Sequence, residues 1–210
     1  MDLGSIDRPP SAAARADRRA LARLTYDCLM TKRKVVAAQN LSRMCLVCGV
    51  ENPWGLNGRF YVLEPAAAAG SAGDGSPGAP ELLGVFTLRE EHQSYPGRLH
   101  GGIATAILDE TIGRAITIAN AGVWGVTAEL TVRFRKPLPV SGELRCVGRI
   151  TRDTRRLFEG SGEILLGDGT VAAEASGRYV KMGLGEITDD DFDQRDWFED
   201  ERDTPDSVDV

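Results

Sequence analysis

The spacing of apolar residues changes period several times along the chain. From about Ser11 to Asn40, Leu21, Leu24, Cys28 and Val35 recur at helical intervals among Ala, Arg and Lys, with Ser11 as a cap. This predicts one or two helices packed outside a core. Asn52-Pro53-Trp54-Gly55 marks a turn, and strands are expected at Leu56 to Leu63 and Leu82 to Leu88. Residues 64–80 between them are nearly all Ala, Gly, Ser, Pro and Asp, which predicts a flexible loop. His100 to Ala119 is the strongest helix. Ile103 to Leu108 is apolar on nearly every face, the pattern of a buried helix.

After Gly122 the period shortens to two. Thr127–Phe134, Leu144–Thr151, Leu157–Leu166 and Thr170–Met182 read as consecutive strands, with Gly160 and Gly162 interrupting the third. Ser141-Gly142 and Gly167-Asp168-Gly169 supply tight turns between them. Such strands make an antiparallel sheet, and a curved sheet wrapped around the helix at 100–119 would bury it. The fold class is therefore α+β. From Glu186 the chain is acidic and poor in aliphatics, which predicts a disordered or loosely docked tail. The expected organisation is a helical extension over 1–44, one domain over 45–183 and an acidic tail over 184–210.

Charge narrows the function. A net charge of −6 argues against a nucleic-acid partner, which would call for a basic stripe. No stretch approaches the roughly 18 apolar residues of a membrane helix, and Met1 to Pro10 has no apolar run of signal-peptide type. A cytosolic location, with no membrane partner, is the expectation. Cys28, Cys45, Cys48 and Cys146 are then expected as free thiols. Cys45-x-x-Cys48 lacks the second ligand pair of a structural zinc site, so no metal is expected. No thioredoxin-like βαβ pattern follows it, which argues against a redox role.

Two acids, Asp109 and Glu110, interrupt the apolar helix. A carboxylate buried there must be paired, hydrogen-bonded, protonated or turned to a cleft. Arg114 stands at i+4 from Glu110 and offers a structural ion pair. Gly101 and Gly102 open the helix, where amides lack internal partners and the dipole favours negative charge. An oxygen can approach them closely, and an oxyanion would be stabilised there; the alternative is that both glycines merely permit a turn. Asp109 lies on nearly the same face as Gly102, seven residues on, so the Gly101 amide and Asp109 are expected at opposite ends of one groove. His100, at the helix start, is expected to orient the loop rather than to move protons. Arg133, Arg135 and Lys136, with Arg98 near the groove mouth, are candidates for binding phosphates, against the alternative of a solvated strand edge.

The string His100-Gly101-Gly102, an apolar run and then Asp109-Glu110 resembles the PaaI-like hotdog thioesterases of the hydroxybenzoyl-CoA thioesterase superfamily. So does Thr127-x-x-Leu130-x-Val132-x-Phe134-x-x-Pro137. Cys45-x-x-Cys48-Gly49 followed by Asn52-Pro53-x-Gly55-Leu56 is similar to one branch of that group. The resemblance covers about residues 45–182. It implies a hotdog fold and hydrolysis of an acyl-CoA or related thioester, CoA being part of the substrate and no other cofactor being needed. It implies that Asp109 activates water or attacks the thioester, with Glu110 sharing or replacing it, and that the Gly101 amide polarises the carbonyl. Thr127 would enter from the partner subunit of a homodimer, itself often paired into a tetramer. Relatives carry Asn or Gln upstream of His-Gly-Gly, where this chain has Ser94 with Gln93 beside it. A non-catalytic acyl-CoA-binding module and a hotdog enoyl-CoA hydratase remain the alternatives.

Overall fold

The computed structural model describes residues 31–65, 80–188, 196–200 and 202–210. In chain order the strands are β1 (Lys32–Ala38), β2 (Leu41–Ser42), β3 (Arg59–Leu63), β4 (Glu81–Thr87), β5 (Gln93–Tyr95) and β6 (Arg98–Leu99). The long helix α1 (Gly101–Arg114) follows, continued by a 3-10 turn, Ala115–Ile118. Then come β7 (Trp124–Phe134), β8 (Glu143–Asp153), β9 (Leu157–Leu165), β10 (Val171–Met182), β11 (Trp197–Phe198) and β12 (Ser207–Asp209). The main sheet is antiparallel with order β12-β1-β3-β4-β8-β9-β10-β7.

Helix α1 packs across β4, β7, β8, β9 and β10. This is the hotdog arrangement, one main helix against a long antiparallel sheet. Its apolar stripe of Ala104, Ile107, Leu108 and Ile112 is buried with Phe60, Phe86, Phe158 and Ile164 in the main core. At roughly 25 cal/mol per Å² of apolar area, this interface supplies much of the fold's driving force. Glycines in the sheet set how close the helix comes. A Cβ on Gly148 would lie 2.7 Å from the Thr111 carbonyl oxygen, and one on Gly160 would lie 2.5 Å from Ile112 Cγ2. Gly160 therefore leaves β9 continuous while making room for α1.

Three expectations are corrected. First, residues 32–38 form strand β1, not the end of a helix. Val35 and Val36 are stiff at χ1 and suit a strand, and β3 and β12 complete its ladder from far along the chain. The remainder of the expected N-terminal helix, Cys28 with it, lies outside the described residues, as do 66–79 of the expected loop.

Second, the acidic C-terminal segment is docked. Trp197–Phe198 pairs with β2 and Ser207–Asp209 with β1. Arg59 reaches Asp200 at 2.8 Å, and Arg43 reaches Asp196 at 3.1 Å. Asp196 and Asp200 pair with Arg43 and Arg59, which are distant in sequence, and composition does not reveal this. Third, α1 is not covered all round. Thr105, Ala106, Asp109, Glu110 and Gly113 are only partly buried, because a sheet lying on one side covers one face. Among the described residues no helix is long and apolar enough to cross a membrane.

Candidate functional site

Asp109 sits two turns into α1, on its partly open face. Its Oδ1 accepts hydrogen bonds from Thr127 Oγ1 at 2.8 Å and from Tyr179 Oη at 3.2 Å. Thr127 is presented by β7 and Tyr179 by β10; the two residues face each other across the strands, beside a bulge that leaves Ala128 without a Cα partner. The Tyr179 ring is fully buried and stacks on Phe158, with centroids 4.8 Å apart. Burial first, and then the Asp109 charge, push the Tyr179 phenol well above its usual range. It therefore remains a donor at neutral pH. Two hydroxyls thus fix one carboxylate oxygen, and Oδ2 has no partner among the described residues. Asp109 lines a cleft of about 120 Å³ with Glu110, Arg114, Thr127, Trp124 and Trp197.

Glu110 is held differently. Its Oε1 accepts from Arg114 Nε at 2.7 Å, the i+4 pair offered by the spacing. The Arg114 guanidinium is 6% exposed, and its carbon lies 4.3 Å from the Phe60 ring centre and 4.6 Å from that of Trp197. It also donates to the Asn40 carbonyl and to Cys48 Sγ, both at 2.9 Å. The sulfurs of Cys45 and Cys48 and a Glu110 oxygen all lie within 4.8 Å of one another. The Cys48 thiol is the main cause holding Cys45 low, at about 6, and the same hydrogen bond with burial pushes Cys48 up.

The start of α1 forms a separate region. His100 is its N-cap, with Nδ1 accepting from the Gly102 amide at 2.9 Å. The Gly101 amide has no acceptor among the described residues, and Gly101 is exposed. A Cβ there would meet only the Phe134 ring edge, at 3.6 Å.

Residues 96–173 match the thioesterase superfamily model. This stretch is a thioesterase-superfamily domain. The chain is 26% identical over 104 residues to mouse acyl-coenzyme A thioesterase 13, covering 49% of this chain and 74% of that protein. It is also similar to the crystal structure of a phenylacetic acid degradation-related protein from Ralstonia eutropha. That match has 25% identity and a TM-score of 0.44, covering 48% and 75% of the two chains. The PaaI protein of the Escherichia coli phenylacetic acid degradation operon matches at 16% identity and TM-score 0.44, covering 49% and 73%.

Within the thioesterase-superfamily domain, the sequence-predicted residues fall into two groups. Asp109, Glu110 and Thr127 meet at the cleft. Thr127 reaches Asp109 within one chain, which corrects its expected entry from a partner, because β7 runs back alongside the helix that precedes it. Gly101, Gly102 and His100 lie eight or so residues earlier, roughly 12 Å along the helix, and do not line that cleft. Gly101 and Asp109 thus do not share this cleft in one chain, since being on one helical face does not shorten the axial distance.

Around the helix start, Gln93 and Ser94 are exposed on β5, and Gln93 Oε1 accepts from the Gly97 amide at 3.0 Å. Arg98 is exposed on β6. Arg133 and Arg135 both turn to Glu174 on β10, at 3.7 and 2.6 Å, while Lys136 is exposed beside them. Sequence reasoning missed Tyr179, which lies 70 residues from Asp109 and beyond the matched stretch. It also missed the joining of Cys45 and Cys48 to Glu110, for which the spacing within the chain carries no signal.

Proposed function

We propose that this chain hydrolyses an acyl-CoA thioester to the free acid and CoA. The observation that carries the reading is a cleft carboxylate, Asp109, with one oxygen tied by Thr127 and Tyr179 and the other unpartnered, inside a thioesterase-superfamily domain. In the reaction, Asp109 Oδ2 takes a proton from water as the water oxygen attacks the carbonyl carbon. Alternatively, Oδ2 attacks the carbon itself and water later releases the acyl group. The tetrahedral oxyanion then collapses, the carbon–sulfur bond breaks, and the CoA sulfur leaves with a proton.

The oxyanion needs a donor, and the amides at the start of α1 do not line the Asp109 cleft of one chain. The unbonded Gly101 amide is suited to it, with the α1 dipole behind it. Since Gly101 lies roughly 12 Å from Asp109 along the helix, we assign the complete site to a homodimer, with Gly101 of one copy facing Asp109 of the other. Arg98 and Lys136 are exposed cations for the CoA phosphates, with Arg133 and Arg135, now paired with Glu174, as further candidates.

The first test is a panel of acyl-CoAs mixed with the purified chain and a thiol-detecting reagent. Thiol release above background on at least one substrate is expected. Binding of CoA esters without release would make this a carrier instead. The amide role has its own test. Pro suits the first position of a helix, and His100 already has the extended backbone, φ −66° and ψ 133°, that precedes a proline. Gly101→Pro thus removes the donor without removing a hydrogen bond of the fold. A loss of about 10²-fold in kcat is expected with stability unchanged. Mixed dimers of Gly101→Pro and Asp109→Asn subunits should regain activity, because one of their two sites is intact.

A further inference from the structure

The mechanism above leaves one group of reactive side chains unused. Cys45 and Cys48 sit in the loop between β2 and β3, beside Glu110 and Arg114. Cys45 is partly exposed and Cys48 is buried beneath it. Their sulfurs are within 4.8 Å of each other. The Val47 amide donates to Cys45 Sγ at 3.3 Å, and Arg114 Nη2 donates to Cys48 Sγ at 2.9 Å. Backbone and guanidinium donors thus face both sulfurs, the setting in which a thiolate is stabilised.

Three ligand atoms also gather here as in a metal site, with the Glu110 carboxylate as the third. The Arg114 guanidinium already fills the cationic role. It is bonded to both Glu110 and Cys48 and sandwiched between Phe60 and Trp197. A divalent ion would have to enter against that buried positive charge, with one ligand fewer than the four a structural zinc takes.

We propose that Cys45 and Cys48 form an oxidisable dithiol, closed to a disulfide by a peroxide, whose state is felt at the Asp109 cleft through Arg114. The Cys45 thiolate attacks one peroxide oxygen. A sulfur–oxygen bond forms, the oxygen–oxygen bond breaks, and hydroxide leaves to become water. Cys48 Sγ then attacks the sulfenic sulfur, the sulfur–oxygen bond breaks, and the Cys48 proton departs with the hydroxide as a second water. Two thiols and one peroxide thus give one disulfide and two waters. Cys45, the more exposed and the lower in pKa, is the attacking residue, and Cys48 resolves it. Cys146 does not compete. It is fully buried, and burial pushes its thiol up to about 12.

The disulfide removes the thiol that accepts from Arg114. Arg114 and its stacking partner Trp197 both line the Asp109 cleft, and Trp197 in turn lies 4.7 Å from Trp124. Only this coupling to catalysis rests on the hydrolytic reading; disulfide formation does not. The lack of a thioredoxin-like pattern excludes a thioredoxin-like fold around the pair, not the chemistry of the pair.

The test uses the full-length reduced chain treated with hydrogen peroxide and mapped by mass spectrometry. The peptide carrying Cys45 and Cys48 should lose two hydrogens and regain them with dithiothreitol. Cys48→Ser should stop at a sulfenic acid on Cys45 that a 1,3-dicarbonyl probe captures. Tryptophan emission should shift on oxidation in the unmutated chain and return on reduction. The proposal is overturned if both cysteines remain alkylatable after peroxide that converts free cysteine to cystine. It is equally overturned if the purified chain retains one zinc ion that Cys45→Ser releases. A disulfide with unchanged emission refutes the coupling. None of these readouts involves a thioester, so failure here is distinct from failure of the hydrolase assay.

Discussion

Asp109 and Glu110 are neighbours on one helix and carry the same functional group, yet their surroundings differ in kind. Asp109 meets only neutral donors, Thr127 and Tyr179, and keeps one oxygen unpartnered. Glu110 meets a buried guanidinium shared with Phe60, Trp197 and Cys48. A carboxylate whose charge is already neutralised by a tight ion pair is a poor base. One held by hydroxyls at a cleft keeps its charge available. The lesson is that a pair of acids in an apolar helix divides its labour according to which strands reach each residue, and a rotation of about 100° along the helix is enough to change the partners.

The same isosteric change applied to both acids gives the largest expected contrast. Asp109→Asn should lower thioester turnover by about 10²–10⁴-fold, with oligomer size and circular dichroism preserved. Glu110→Gln should leave turnover within about tenfold and act mainly on stability. The reverse result in a thiol-release assay would exchange the two roles.

Next in size is Arg114→Leu. It strands Glu110 without its cation and removes the ring-stacked guanidinium, so urea unfolding should show a loss of about 3 kcal/mol. If stability were unchanged, the Glu110 region would not be the structural half of the pair.

Thr127→Ala deletes one of the two hydroxyls on Asp109. The cost of about 1 kcal/mol corresponds to a fall of roughly fivefold in kcat, with the fold intact. Thr127→Ser should restore most of it. An effect on KM alone would mean that Thr127 contacts substrate rather than orienting the acid.

The smallest effect is a matter of pH. Cys45 is held low, chiefly by the Cys48 thiol, so it is the thiolate above about pH 6. Its alkylation by iodoacetamide should therefore level off by neutral pH. An ordinary thiol goes on gaining rate up to about 8.5. The sign follows from the direction of the shift, since a lowered pKa extends the reactive anion toward acid. In Cys48→Ala, which removes the thiol donor, the profile should move back up.

The sequence was sufficient for the central helix, the four strands after it and the sheet's antiparallel sense. Those elements are governed by apolar period and by turn residues, which act within a few positions. It also offered the Glu110–Arg114 pair, because helical i+4 contacts are local. β1 was misread as helix, since Lys32–Ala38 has no strong period of its own and takes its form from β3 and β12. The acidic segment looked unstructured for a related reason. Its partners, Arg43, Arg59 and β1, lie more than 140 residues away.

The site divides along the same line. Gly101, His100, Asp109 and Glu110 stand out in sequence as glycines at a helix start and charges in an apolar run. Tertiary structure alone decided which acid is free, by bringing Tyr179 and Thr127 to one and Arg114, Cys48 and Trp197 to the other. It also set Gly101 and Asp109 too far apart to serve one cleft in a single chain. The reason is physical. Period and capping are written in neighbouring residues, whereas burial, ion pairing and hydrogen bonding across strands depend on which distant segments the sheet brings together.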